Sequence, residues 1–212
     1  MVNVCHQCGV YRADKIIDPA GPAAICPECG HRHPFLYLPL LIVSGASASG
    51  KSTICNYLTG KIEVGILLDT DVLWSPSFDL PDENYRTYFE TWLRLGKNIN
   101  QAGRPVVLFS AGMGVPGNIE PLVERRYFSR SHYLALACAD DELERRLRSR
   151  PGWRQSGSDA FIQSQLDFNR WFKEQGVNGQ PPVELLDTSD GNTLQTAQDV
   201  ESWIRLRLIC EI

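Results

Sequence analysis

Leu38-Pro39-Leu40-Leu41-Ile42-Val43-Ser44-Gly45-Ala46-Ser47-Ala48-Ser49-Gly50-Lys51-Ser52-Thr53 is an apolar run that leads straight into G-x-x-x-x-G-K-S. A buried strand feeding a tight turn that opens a helix gives this spacing its physical meaning, because successive backbone N–H groups then converge on phosphate oxygens. Gly45 and Gly50 permit backbone conformations that a side chain forbids, and the positive end of the following helix reinforces the cradle. Lys51 is expected to reach the β- and γ-phosphates of a nucleoside triphosphate, and Ser52 to place its hydroxyl on the bridging magnesium. Thr53 points around the helix and closes the expected nucleotide-binding set, which runs from Gly45 to Thr53.

Downstream, apolar strand-like runs alternate with helical patterns, as they do in a parallel sheet covered by helices. The spacing predicts strands over 38–44, 64–69, 104–110, 131–137 and 182–187. It predicts helices over 51–59, 83–101, 117–127, 140–150, 158–174 and 193–208, with Gly60 and Gly103 as stops and Asp140 and Thr193 as N-caps. The result is a five-stranded α/β core, and in such a sheet a ligand lies at the carboxyl ends of the strands.

Gly65-Ile66-Leu67-Leu68-Asp69-Thr70-Asp71 ends one of these strands with two carboxylates one residue apart, which point the same way if extension continues. Asp69 is expected to hold magnesium, and Asp71 to accept a proton from the hydroxyl that attacks the γ-phosphate. A second cluster, Glu142-Leu143-Glu144-Arg145-Arg146-Leu147-Arg148-Ser149-Arg150-Pro151-Gly152-Trp153-Arg154, runs off a helix into a Pro/Gly break. Arg146 and Arg150 are four apart, the spacing of one helix face, and two guanidinium groups there would approach a phosphoryl group together. A solvated helix with pairs such as Glu142 and Arg146 accounts for part of this run but not for Arg154. A lid near 150–158 is therefore expected. Tyr85, Phe89 and Trp92 have the spacing of a packing stripe.

Ahead of the strand, Cys5-His6-Gln7-Cys8-Gly9 and Cys26-Pro27-Glu28-Cys29-Gly30 form two C-x-x-C-G knuckles at zinc-ribbon spacing. Four thiolates suit a closed tetrahedral zinc site; two disulfides or iron are the competing readings. His6, His31 and His33 are read as loop residues, and Cys55, Cys138 and Cys210 as ordinary buried residues. The expected division is a ribbon over 1–36 and a phosphate-loop domain over 37–212. The ribbon is a staple, a docking surface or a nucleic-acid contact; its loop, with Tyr11, Arg12 and Lys15, is weakly basic.

With 212 residues, 43% hydrophobic and 22% charged, the chain buries one substantial core. No apolar stretch approaches the roughly 18–20 residues that span a bilayer. The N-terminus reaches Cys5 without an apolar leader, so a cytoplasmic protein is expected. A net charge of −4 argues against broad electrostatic capture of nucleic acid without excluding RNA.

From about 38 to 208 the chain resembles the nucleoside and nucleotide kinase-like P-loop phosphotransferases, which include shikimate, gluconate and chloramphenicol kinases. The resemblance implies ATP and magnesium as cofactors, with Asp69 and Asp71 supplying metal and acceptor contacts. It likens Ser110-Ala111-Gly112-Met113-Gly114 to a glycine-rich turn that shapes the acceptor pocket, through Gly112 and Gly114. Arg150-Pro151-Gly152-Trp153-Arg154 resembles the arginine-bearing lid. Leu186-Asp187-Thr188-Ser189 resembles the adenine-side loop, which places Thr188 and Arg146 near the nucleotide, and Arg94 matches an acceptor-binding arginine. Two departures stand out: the N-terminal ribbon, and a third strand, Val106-Val107-Leu108-Phe109-Ser110, that lacks the terminal aspartate of many P-loop ATPases. The expected activity is transfer of a γ-phosphoryl group to a nucleoside, nucleotide or similar metabolite. A polynucleotide-end kinase recruited by the ribbon and an ATP-dependent binding switch are the alternatives.

Overall fold

The computed structural model describes residues 2–79 and 85–209, with side chains as far as Leu208. At its start β1 (Ile16–Asp18), β2 (Ala23–Ile25) and β3 (Arg32–Pro34) pair antiparallel in sequence order. The knuckles flank this small sheet, each closed by a backbone turn: Gly9 N–H to Cys5 O and Gly30 N–H to Cys26 O, both 2.9 Å.

The main sheet holds β4 (Leu40–Ser44), β5 (Ile66–Asp69), β6 (Val106–Phe109), β7 (Ser131–Ala137) and β8 (Val183–Asp187). All pair parallel, in the order β5-β6-β4-β7-β8. The order reverses at β4, which leads into the phosphate loop, so a crevice opens at the carboxyl end of the central strand. Alternation along β4 sends Leu40 and Ile42 to one face and Leu41 and Val43 to the other, all fully buried. The first face packs on α2 (Arg86–Asn100) and α5 (Asp159–Glu174) through Phe89, Trp92, Leu93 and Phe172. The second packs on α1 (Lys51–Leu58) and α6 (Thr193–Ile209) through Ile54, Leu58, Val200 and Ile204. Of the aromatic stripe, Phe89 and Trp92 are buried and Tyr85 is partly exposed.

Some elements differ from expectation. The helix expected over 117–127 is split into α3 (Pro116–Ile119) and a 3-10 turn, Val123–Tyr127. Pro121 has no N–H to continue the ladder, and Leu122 is extended at ψ 145°. α4 runs Asp140–Arg148, so Arg150 lies beyond its end and does not share a helix face with Arg146. Asp140 and Thr193 are first helical residues rather than caps. Asn192 caps α6 by accepting from Gln195 N–H at 3.1 Å, while the Asp140 carboxylate takes Asn169 and Arg170. Residues 83 and 84, at the start of the helix expected over 83–101, and Cys210 lie outside the described residues.

The ribbon sits against the amino-terminal edge of the main sheet. Val2, Ala24 and Phe35 share a buried cluster with Tyr127, and Leu36 exchanges two hydrogen bonds with Gln101 at the end of α2. Tyr127 Oη donates to Ala13 O at 2.7 Å, and Asn3 Nδ2 to Glu124 at 3.1 Å. Glu124 also pairs with Lys97 and Arg94 from α2.

Candidate active site

β4 ends at Ser44, and Gly45 follows at φ 140°; a Cβ there would stand 2.4 Å from Leu136 O, so no side chain fits. Gly50, at φ 108°, precedes Lys51, the first residue of α1. The Lys51 ammonium folds back over the loop and donates to Gly45 O at 2.8 Å and Ala46 O at 2.9 Å. Burial lowers its pKa to about 8; Asp71 and Asp69 oppose the shift and Arg150 adds to it.

Two clefts flank the loop. The larger, about 390 Å³, brings together Lys51, Ser52, Asp69, Asp71, Arg150 and Arg154, with Ser47 and Gln165 at one wall. The smaller, about 280 Å³, is walled by Ser49, Arg146, Thr188 and the start of α6. Ala48, Gly50 and Thr53 line both. Ala46 lies beneath the loop, fully buried against Leu143 and Ile162.

Extension does not continue past Asp69. Thr70–Leu73 forms a 3-10 turn, and Asp69 Oδ1 caps it by accepting the Asp71 N–H at 3.0 Å. The turn still leaves both carboxylates in the larger cleft. Burial raises the Asp71 pKa, the neighbouring Asp69 raises it further, and Lys51 works against both. With the Ser52 hydroxyl in the same cleft, the donors are all oxygens, the set that suits magnesium.

The arginines are divided between the clefts. Arg146 donates to Thr188 O and to Thr188 Oγ1 (3.3 Å), and Glu142 holds its Nε at 2.6 Å. Arg150 donates to Ser47 Oγ at 2.8 Å, and Arg154 stacks its guanidinium 4.5 Å from the Trp153 ring centroid. Arg94 is not brought to either cleft: it bonds Glu124 at 2.9 Å and lies 5.9 Å from the Tyr11 ring, under the ribbon. Gly112 and Gly114 serve close packing rather than the cleft wall. A Cβ on Gly114 would meet Ser44 Oγ at 1.9 Å, and one on Gly112 would meet Phe89 at 2.9 Å, while Ser110 and Ala111 line the cleft.

Sequence reasoning passed over Gln165. Its Oε1 accepts the Ser47 N–H at 2.7 Å. The available signal was a polar residue set beside the apolar stripe Ile162, Leu166 and Phe172 of α5.

At the other end of the molecule, the sulfurs of Cys5, Cys8, Cys26 and Cys29 all lie within 4.8 Å of one another. Cys5 to Cys29 is 3.6 Å and Cys8 to Cys26 is 3.9 Å. A tetrahedron with metal–sulfur bonds of about 2.3 Å has edges of about 3.8 Å, so the four thiols fit zinc. Both pairs stand well beyond the roughly 2.05 Å of a disulfide. His33 is buried beside this cluster, its ring in edge contact with those of His6 and His31. Cys55 and Cys138 are buried in the main unit.

No protein-family model matches the sequence, and no curated protein does. Solved structures do. A sugar kinase from a Janibacter species superposes with a TM-score of 0.59 at 17% identity, over 79% of this chain and 95% of its own. A shikimate kinase from Acinetobacter baumannii gives 0.52 at 18%, over 80% and 94%. A gluconokinase from Sinorhizobium meliloti gives 0.51 at 16%, over 81% and 98%. The fold is that of the P-loop kinases. Within that fold, the two clefts lie on either side of the loop that gives it its name. No helix among the described residues is long and apolar enough to cross a membrane.

Proposed function

We propose that the chain is an ATP-dependent phosphotransferase that moves the γ-phosphoryl group to a hydroxyl of a small molecule, with nucleosides, nucleotides and comparable metabolites as first candidates. The observation that carries this reading is the placement of Asp71 with Lys51, Arg150 and Arg154 in one cleft, adjoining the Arg146–Thr188 cleft across the loop. The adenosine end occupies the smaller cleft and the reacting phosphate the larger. The acceptor oxygen attacks the γ-phosphorus while Asp71 takes its proton; the bond to the β–γ bridging oxygen breaks, and ADP leaves with that electron pair. A raised pKa suits Asp71 to receive that proton. Lys51, Arg150 and Arg154 neutralise charge as it builds on the transferring group, and lid closure excludes water. Ser52 and Asp69 are the residues that would hold magnesium, which would supply positive charge to the phosphates during transfer. The fold neighbours include kinases named for sugars, gluconate and shikimate, which agrees with a small-molecule acceptor.

A polymer acceptor recruited by the ribbon is less well supported. Arg12 is paired with Asp14 and Glu28, Arg32 with Asp18, and Lys15 is buried, so residues 2–36 offer a phosphate backbone little uncompensated positive charge. The ribbon also lies at the opposite edge of the sheet from the clefts.

The test is incubation of the pure protein with labelled ATP, magnesium and pooled nucleosides, sugars, aminoglycosides and RNA. A labelled small-molecule product supports the proposal. Label confined to RNA, or free phosphate with no phosphorylated acceptor, sinks it in favour of an end kinase or a binding switch.

A further inference from the structure

Ser47 is held from two directions by the segments that bracket the lid. Arg150, at the lid's start, donates to its hydroxyl, and Gln165, on the helix after the lid, accepts its N–H at 2.7 Å. That N–H belongs to the set that a phosphate loop offers to its ligand. Position along the loop says which phosphate it serves. Ser49 lines only the nucleoside-side cleft, whereas Ser47 lines only the cleft that holds Lys51, Asp71 and Arg154. The Ser47 N–H therefore stands at the terminal-phosphate end.

We propose that Gln165 competes with the terminal phosphate of the nucleotide for the Ser47 N–H, and so determines the preference between triphosphate and diphosphate. This rests on the phosphotransferase reading. One N–H cannot serve both acceptors at full strength, and a charged phosphate oxygen makes the stronger hydrogen bond. The exchange needs only a side-chain rotation. α5 itself is anchored by the buried Ile162, Leu166 and Phe172, while among the described residues the Gln165 amide nitrogen makes a single long contact, 3.5 Å to Ser164 Oγ. Once displaced, the carboxamide remains in the cleft with Asp71, where it offers both a donor and an acceptor to the incoming hydroxyl. The α- and β-phosphates, which the competition does not reach, bind independently of it.

The test measures calorimetric binding of magnesium AMP-PNP and magnesium ADP to the full chain, and needs no acceptor. Gln165→Ala and the bulk-preserving Gln165→Met are expected to bind AMP-PNP about fivefold tighter, the worth of one released hydrogen bond, with ADP unchanged. Gln165→Glu puts a charged acceptor on the same N–H and is expected to weaken AMP-PNP at least about tenfold, with ADP affected far less. Parallel changes for both nucleotides in all three variants, or an unchanged ratio, would overturn the proposal and leave Gln165 a brace. Wild-type protein that binds neither nucleotide would instead overturn the phosphotransferase reading on which it rests.

Discussion

Lys97 and Glu124 form an ion pair in which neither side chain is more than 1% exposed, and the Lys97 ammonium also lies 3.6 Å from the Tyr127 ring centroid. Arg94 and Asn3 complete the ring of donors around that carboxylate, so one buried acid ties α2 to the ribbon. Removing one partner of such a pair strands the other charge in a dry site. Glu124→Gln is expected to lower unfolding stability by about 3 kcal/mol, read by denaturant titration. Glu124→Gln with Lys97→Met is expected to recover most of it. No recovery would mean that the carboxylate matters through Asn3 and Arg94 instead.

Burial holds Lys97 at about 8, below its ordinary 10.5, with Glu124 only partly opposing. The unfolded chain then binds more protons across that interval, so this residue contributes a rise in stability as pH climbs from about 8 towards 10.5. Lys51 contributes with the same sign. Bound phosphates act oppositely, because they stabilise the Lys51 ammonium. Nucleotide affinity is expected to be full below about pH 8 and to fall above it, with proton uptake on binding at pH 8–9. Calorimetry in buffers of different ionisation enthalpy detects that uptake; its absence would place the Lys51 pKa well above this range.

Asp71→Asn is expected to spare nucleotide binding and to reduce transfer about 10²- to 10⁴-fold. In the wild type, because the Asp71 pKa is raised, the rate of transfer is expected to increase as pH rises through it. A variant with wild-type turnover would remove Asp71 from the mechanism.

Arg146 and Arg150 are expected to separate kinetically. Arg146→Ala loses the Thr188 contacts in the cleft proposed for the nucleoside and is expected to raise KM for ATP with little change in kcat. Arg150→Ala acts in the reacting cleft and is expected to lower kcat by one to three orders of magnitude, about 1.4–4 kcal/mol. Identical profiles for the two would argue against separate donor and reacting sites.

Metal analysis is expected to find about one zinc per chain. Cys26→Ser should lower that content and also the melting temperature of the whole chain, because the ribbon shares the Phe35–Tyr127 cluster with the main unit. A melting curve in which only a small early transition moves would mean that the ribbon unfolds by itself.

The main sheet was legible because β4 and the loop carry both a period and a motif: the strand spacing located all five core strands, with every end within two residues and β7 exact at both. The cysteine knuckles were legible for the same reason, since ligand spacing is local. What escaped was set by tertiary partners. Arg94 matched a family position, yet its guanidinium is taken by Glu124, 30 residues away, and no local pattern joins them. Gly112 and Gly114 read as a pocket-shaping turn; their constraint comes from Ser44, Phe89 and Phe172. Gln165 reaches Ser47 across 118 residues and has no motif of its own. The spacing of Arg146 and Arg150 suggested one face, but α4 ends at Arg148 and divides them.

Ala48, Gly50 and Thr53 are the shared partition between the two clefts. A single inhibitor that carries an adenosine-like group and an acceptor-like group, joined by a polyphosphate tether, would pass along this partition and fill both sides. Its second group would then bind at the high effective concentration set by the tether, so a series of such compounds with varied acceptor ends would turn two weak affinities into one readable signal.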